Sequence, residues 1–246
     1  MQVTYEDLFA LTSQYIHKEE SQVLMKRAYD LASSLHEGQF RQSGEAYIVH
    51  PLSVAIILAE LHAGPATICA GLLHDTVEDT NETEEDIAKA FGDDIASIVD
   101  GLTKINQMQF TSLEQKQAEN QQHMLLAMAK DIRVIIVKLA DRLHNIRTLG
   151  ACSEEKQKRV ARETLDIYAP LAHKLGMFQI KAELEDTALK YVEPIAYAKI
   201  VNQIKTNTSV RLNSIDHTID EIKAYLAPHQ IPQFEIKGRI KNTFSI

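Results

Sequence analysis

Tryptophan is absent from this 246-residue chain, and cysteine occurs only twice, as Cys69 and Cys152. Two lone cysteines exclude a disulfide scaffold, and none is placed to suggest a structural zinc. Both are expected to be buried free thiols in a reducing compartment. Six prolines and nine glycines are too few for a linker-like or collagenous chain. No apolar run reaches the roughly 18 residues of a membrane span. Residues 1–20 carry scattered charges and no apolar signal core, so the cytoplasm is expected. Positive charge is also scarce: 26 Lys and Arg stand against 34 Asp and Glu, a net charge of −8. Such a chain has no general attraction for nucleic acid. If it binds a polyanion, the positive field must be local, from a metal or a few basic side chains.

What is present is helical periodicity, without internal repeats. A first helix is predicted over residues 21–36, burying Val23, Leu24, Ala28, Leu31, Ala32 and Leu35, with Gly38 after it. A short polar loop, 39–46, leads to Pro51 in the first turn of a second helix. Gly64 and Pro65 end that helix and start another, which runs through Leu72, Leu73 and Val77. Asn81 with Glu84 resembles a capping box for a helix through Ile87 and Phe91, and Gly92 separates it from the next. Further helices are predicted over 113–129, 131–149, 154–174 with a kink or break at Pro170, 179–191 and 195–226. The body is therefore expected to be all-α. After Pro228 and Pro232 the period changes, and Phe234, Ile236 and Ile240 alternate with polar residues as in a strand. A lone strand cannot satisfy its edges, so this stretch is expected to begin a second domain, truncated here. The expected division is 1–195 and 196–246.

The residues best suited to chemistry are His50, the doublet His74-Asp75, and Asp141. Imidazole nitrogen with carboxylate oxygen suits manganese, iron or zinc in divalent form. Adjacent ligands on one helix point about 100° apart, so His50 and Asp141 would have to come from other helices. A satisfied core histidine and a hydrogen-bonded buried carboxylate are the plainer readings of His74 and Asp75. Against these stands the company they keep. Both the doublet and Asp141 follow strongly apolar stretches, where an uncompensated charge costs several kcal/mol. Glu78 and Asp79 lie four residues beyond the doublet and could handle a proton beside a metal; they also read as the start of a solvated acidic loop. Asn145 and Thr148 lie one and two turns beyond Asp141, suited to a nucleotide or to capping. Lys138, Arg142 and Arg147 share that helix and Arg41 lies in the 39–46 loop, each singly an ordinary surface cation. His144 is left out as a fifth ligand, and His62, His123, His173, His217 and His229 are given no role.

Residues 41–51 (RQSGEAYIVHP), 71–80 (GLLHDTVEDT), 99–104 (VDGLTK) and 137–145 (VKLADRLHN) resemble the hydrolase-domain motifs of RelA/SpoT homologues. Residues 168–176 (YAPLAHKLG) look like that family's helical connector. The matches run in the same order from about residue 24 to 193. The resemblance implies an all-α HD-type helical bundle holding one Mn²⁺ through His50, His74, Asp75 and Asp141, with Glu78 and Asp79 activating water. It implies that Arg41, Ser43, Asn145 and Thr148 line a guanosine nucleotide site. Basic residues near Arg41 and Arg142 are expected to hold its phosphates, with Lys138 and Arg147 counted among the substrate-binding residues. The implied reaction is hydrolysis of guanosine tetra- or pentaphosphate, (p)ppGpp, to GDP or GTP and pyrophosphate. Residues 237–246 resemble the opening of the family's synthetase domain, where Arg239 and Lys241 would meet ATP. Synthetase activity is not expected from this stretch alone, and synthetase and regulatory domains would follow in a longer protein.

Three departures from the family pattern stand out. Ala46 replaces a common proline, Gln42 a common basic residue, and Asn242 and Phe244 a usual histidine and tyrosine. The implied ligand set is complete. Two other readings remain at this stage: an HD phosphohydrolase acting on another nucleotide, and a domain that binds the alarmone without cleaving it.

Overall fold

A helix that is apolar around its whole circumference must be surrounded, whereas one with a single apolar stripe lies at an edge. The computed structural model describes residues 3–106, 130–227, 236 and 243–245, and among them every regular element is helical. In chain order these are α1 (Tyr5–Thr12), α2 (Glu19–Leu35), α3 (Val49–Glu60), α4 (Pro65–Leu73), α5 (Thr76–Asp79) and α6 (Glu84–Phe91). Then come α7 (Asp93–Asn106), α8 (Ile132–Arg147), α9 (Glu154–Glu163), α10 (Ala169–Lys174), α11 (Phe178–Val192) and α12 (Pro194–Leu226).

Helices α3, α4 and α8 are the surrounded ones. In α3 nine consecutive or near-consecutive residues from Val49 to Ala59 are buried, and in α4 everything from Thr67 to Leu73 is. Helix α8 packs on α3, α4, α7 and α11, and α1 and α2 close over α3 and α4. Gly71 permits the α3–α4 crossing: a Cβ there would lie 2.5 Å from Leu58 Cδ1, so only hydrogen fits without a shift. Asp131 caps α8 by accepting from the Arg133 N–H, and the Arg133 guanidinium ties that end to Asp94 of α7.

Several local expectations are corrected. Helix α2 buries Met25 with Ala28 and Ala32, while Val23 is 52% exposed; five positions before Ala28, Val23 stands about 140° around the helix from it, off the buried stripe. The N-terminal α1 carried no strong sequence signal, yet Leu8 is buried and Thr4 and Asp7 form a capping box. The cap of α6 is Thr83 with Asp86, not Asn81 with Glu84; the hydroxyl and carboxylate satisfy each other's backbone partners. Cys69 is buried but Cys152 only partly so.

Proline 170 does not break its helix abruptly. The chain widens into a π-turn over Thr164–Tyr168 before α10 begins. The wider turn accommodates a residue with no N–H to give and a ring that crowds the preceding carbonyls. The predicted helix over 113–129 lies outside the described residues. So do Phe234, Arg239, Ile240 and Lys241 of the expected strand and second domain, and Ile236 is in neither helix nor strand.

Candidate functional site

The sequence doublet His74-Asp75 does not sit on a continuous helix. Helix α4 stops at Leu73, His74 and Asp75 form a turn, and the four-residue α5 restarts at Thr76. The Thr76 hydroxyl donates to the Leu73 carbonyl at 2.7 Å, satisfying one acceptor that the break releases. The break matters because successive residues of an intact helix do not face each other. Here the two side chains converge, with His74 Nε2 3.1 Å from Asp75 Oδ1.

His50, from the first turn of α3, and Asp141, from the middle of α8, complete a cluster. His50 Nε2 lies 3.5 Å from Asp75 Oδ2 and 3.3 Å from Asp141 Oδ1, and His74 Nε2 is 3.8 Å from the same Asp141 oxygen. Ligand atoms of His50, His74 and Asp141 all fall within 4.8 Å of one another. His74 Nδ1 is 2.9 Å from the Gly71 carbonyl, so Nδ1 carries the hydrogen and Nε2 presents a lone pair. That Nε2 is buried without a hydrogen-bond partner. A buried unpaired acceptor costs free energy unless something electrophilic takes it. With carboxylates beside it, a divalent cation fits the need.

Charge is balanced by neighbours. Until a cation takes the Nε2 lone pair a proton competes for it: burial disfavours a charged His74, but the Asp75 and Asp141 carboxylates pull its pKa up to about 9. Burial pushes His50 the other way, down. Asp141 accepts from Lys138 Nζ at 2.8 Å, and although burial resists its ionisation, the ammonium and the two imidazoles hold its carboxyl well below the usual range. Asp75 is lowered likewise, with burial opposed mainly by His74.

Asp141 opens onto a cleft of about 480 Å³, lined among others by Arg41, Lys138, Arg142, Lys156 and Arg159. Among the described residues, two carboxylates, Asp141 and Glu163, share that wall. A chain of net charge −8 thus brings five cationic side chains to one concavity, as a phosphate-rich ligand requires. Ser43, Asn145 and Thr148 line the same cleft. Arg142 is fixed over the Tyr168 ring, 4.0 Å to its centroid, and paired with Glu163 at 3.1 Å. Arg147 is not among the lining residues. Six positions beyond Asp141 it faces elsewhere, and its guanidinium is bound by Glu183 of α11 at 2.5 and 2.8 Å. Lys156 and Arg159, three apart on α9, carried no sequence signal because nothing in their own segment marks which helix they face.

Glu78 and Asp79 are exposed at the end of α5. Asp79 is connected to the cluster by Tyr47, whose hydroxyl donates to Asp75 Oδ2 at 2.7 Å and Asp79 Oδ2 at 2.8 Å. Having one hydrogen, the phenol serves one carboxylate at a time. Burial and the two carboxylates raise its pKa, so it stays a donor. Its ring stacks on His36, centroids 4.5 Å apart. Tyr47 was given no role from sequence, although it stands one helical turn before His50. His144, set aside from sequence, lies behind His50 with Nδ1 2.8 Å from His50 Nδ1, and Arg41 Nη1 is 3.1 Å from the same atom.

A family model described as an HD domain matches residues 28–178. A GTP pyrophosphokinase of Myxococcus xanthus is 48% identical over 237 residues, covering 95% of this chain and 31% of the relative. A probable guanosine-3′,5′-bis(diphosphate) 3′-pyrophosphohydrolase of Synechocystis is 49% identical over 223 residues, covering 91% and 29%. The bifunctional (p)ppGpp synthase/hydrolase SpoT of Escherichia coli is 43% identical over 242 residues, covering 98% and 34%. The chain spans about a third of the length of these curated relatives.

Proposed function

Because the chain belongs to the HD-domain family and carries the HD region of RelA/SpoT homologues, we propose that it hydrolyses guanosine tetra- or pentaphosphate. The products are pyrophosphate and GDP or GTP. The observation that carries this reading is the buried, unpartnered His74 Nε2 within a His/Asp cluster that opens on a cationic cleft.

His50, His74, Asp75 and Asp141 are the groups that would hold the cation, which we take to be Mn²⁺: two imidazoles with two carboxylates suit a hard-to-borderline ion. When bound, the cation supplies a water of lowered pKa and neutralises charge on the diphosphate. Glu78 or Asp79 accepts the proton of the attacking water. The water oxygen bonds to the phosphorus nearest the ribose, the bond from that phosphorus to O3′ breaks, and a proton returns to O3′. Arg41, Ser43, Lys138, Arg142, Asn145 and Thr148 wall the cleft and position the nucleotide; Arg147, turned to Glu183, is outside that wall.

Among the described residues no helix is long and apolar enough to cross a membrane. The reading takes a small nucleotide as partner, not a nucleic acid, and a cytoplasmic setting in which the thiols stay reduced. It divides the chain near residue 195, with residues 1–195 as the hydrolase unit and 196–246 leading toward synthetase and regulatory domains of a longer protein. The test is pyrophosphate release from guanosine tetraphosphate, with Mn²⁺ and after chelation. Metal-dependent release of GDP and pyrophosphate is expected. Binding without release by metal-loaded, folded protein would replace hydrolysis with alarmone sensing, and turnover of other nucleotides in preference would change the substrate.

A further inference from the structure

Two ring nitrogens 2.8 Å apart, His50 Nδ1 and His144 Nδ1, need one hydrogen between them. Arg41 decides whose it is. Its Nη1 lies 3.1 Å from His144 Nδ1, and a guanidinium can only donate. His144 Nδ1 is therefore an acceptor, and His50 Nδ1 is the donor. A neutral His50 with its hydrogen on Nδ1 must present a lone pair at Nε2, the atom that lies 3.5 and 3.3 Å from the Asp75 and Asp141 oxygens. Both donors thus converge on His144 Nδ1, whose lone pair is turned to them and away from the cation cluster.

We propose that His144 is a positioning residue for cation binding: by accepting from His50 Nδ1–H it locks the His50 tautomer whose Nε2 faces the cluster, and Arg41 clamps it there. The proposal rests on the metal reading above. The clamp has a second prong. Arg41 Nη2 donates to Asn145 Oδ1 at 2.7 Å, and Asn145 Nδ2 donates to Asp141 Oδ1 at 2.5 Å. One arginine from the 39–46 loop thus steadies the partners of two cluster residues on different helices. Without the acceptor at 144, His50 is free to move its hydrogen to Nε2 and spend it on Asp141, turning the lone pair away from the cluster.

The test uses metal-free protein titrated with Mn²⁺, reading free ion by its paramagnetic resonance signal, alongside melting of the metal-free form. His144→Leu, which offers no acceptor, is expected to weaken Mn²⁺ binding roughly 10–100-fold. In His144→Asn the side-chain oxygen stands where Nδ1 was, so affinity is expected nearer to wild type than to the leucine variant. Wild-type affinity in His144→Leu overturns the proposal, and so does an asparagine variant as weak as leucine while both melt like wild type. Should His144→Leu not fold, ring ¹⁵N shifts of the wild-type protein decide. Hydrogen on His50 Nδ1 and His144 Nε2 supports the lock, and hydrogen on His144 Nδ1 overturns it. A wild type that binds no Mn²⁺ refutes the metal reading itself, and the ring shifts still report separately on the lock.

Discussion

His74-Asp75 and Glu78-Asp79 are four residues apart, yet they are built into the molecule differently. The first pair sits at a helix break behind α3 and α8, with His74 fully enclosed and tied to the Gly71 carbonyl, and Asp75 between two imidazoles. The second pair is exposed on a four-residue helix, and Asp79 is connected inward through one phenol, Tyr47. Cluster geometry is fixed by packing and hydrogen bonds before any cation arrives, whereas Asp79 meets that cluster through the Tyr47 hydroxyl. Such a division suits the proposed chemistry. Ligands must not move when the cation binds, but a group that receives and returns a proton must reach both water and leaving oxygen.

The sharpest way to break this contrast is Asp141→Ala. It removes a ligand and also strands the buried Lys138 ammonium, which donates to Asp141. Loss of one member of a buried pair costs about 3–5 kcal/mol, so urea melts of the metal-free protein should show a large fall, along with lost Mn²⁺ binding and turnover. Asp75→Ala should lose Mn²⁺ and turnover equally but destabilise less, because Asp75 has no lysine to strand. Equal destabilisation by the two would mean that the cluster is not held by the Lys138–Asp141 pair.

Next in size come changes to the acidic pair. Glu78→Gln and Asp79→Asn are expected to keep Mn²⁺ affinity, and the one that removes the proton acceptor should cut kcat by about 10²–10⁴. Near-normal turnover in both would end the proton-acceptor assignment. Tyr47→Phe should lower kcat by roughly tenfold, the worth of one hydrogen bond to a charged group, and should also weaken Mn²⁺ binding, because the same hydroxyl holds Asp75. Full Mn²⁺ affinity in Tyr47→Phe would mean that the phenol serves Asp79 alone and that the cluster holds Asp75 without it.

The same contrast explains what could be read from sequence. Helices α3, α4 and α8 were legible because their apolar residues, and the breakers Gly64 and Pro65 between the first two, are local signals. His50, the doublet and Asp141 were legible because charge inside an apolar stretch demands a partner. The helix break between Leu73 and Thr76 was not, since Thr76 acts through a hydrogen bond to the Leu73 carbonyl that residue type alone does not specify. Nor were His144 and Tyr47 legible, because their roles are contacts across 94 and 28 residues of chain. For His144 a clue was available: three residues past Asp141 it shares that residue's face of α8. Arg147 shows the reverse case: it is a basic residue near a motif, expected at the site, and its helix turns it toward Glu183 of α11.

Packing behind the cluster gives a smaller effect. Gly71→Ala would bring a methyl within 2.5 Å of Leu58 Cδ1, and Leu58 is itself fully buried. Overpacking of this kind costs about 1–3 kcal/mol. Because α4 carries His74 at its end, Mn²⁺ affinity should fall with stability while KM for nucleotide stays put. Thermal melting and the Mn²⁺ titration together check this. Affinity unchanged in a destabilised variant would show that the helix break insulates His74 from the α3–α4 crossing.

The smallest effect is expected at Arg147. Its pair with Glu183 joins α8 to α11, with side chains 40% and 42% exposed, and pairs at such exposure contribute about 0.2–1 kcal/mol. Arg147→Gln should therefore lower the melting temperature slightly and leave KM for guanosine tetraphosphate unchanged. Arg142→Gln makes the useful control, since that guanidinium lines the cleft and is fixed over Tyr168; there KM should rise. The two arginines lie five residues apart on one helix, so composition and local charge are nearly the same for both. A raised KM in Arg147→Gln would mean that Arg147 leaves Glu183 for the nucleotide when the cleft fills, and the wall of the cleft would then extend to α11.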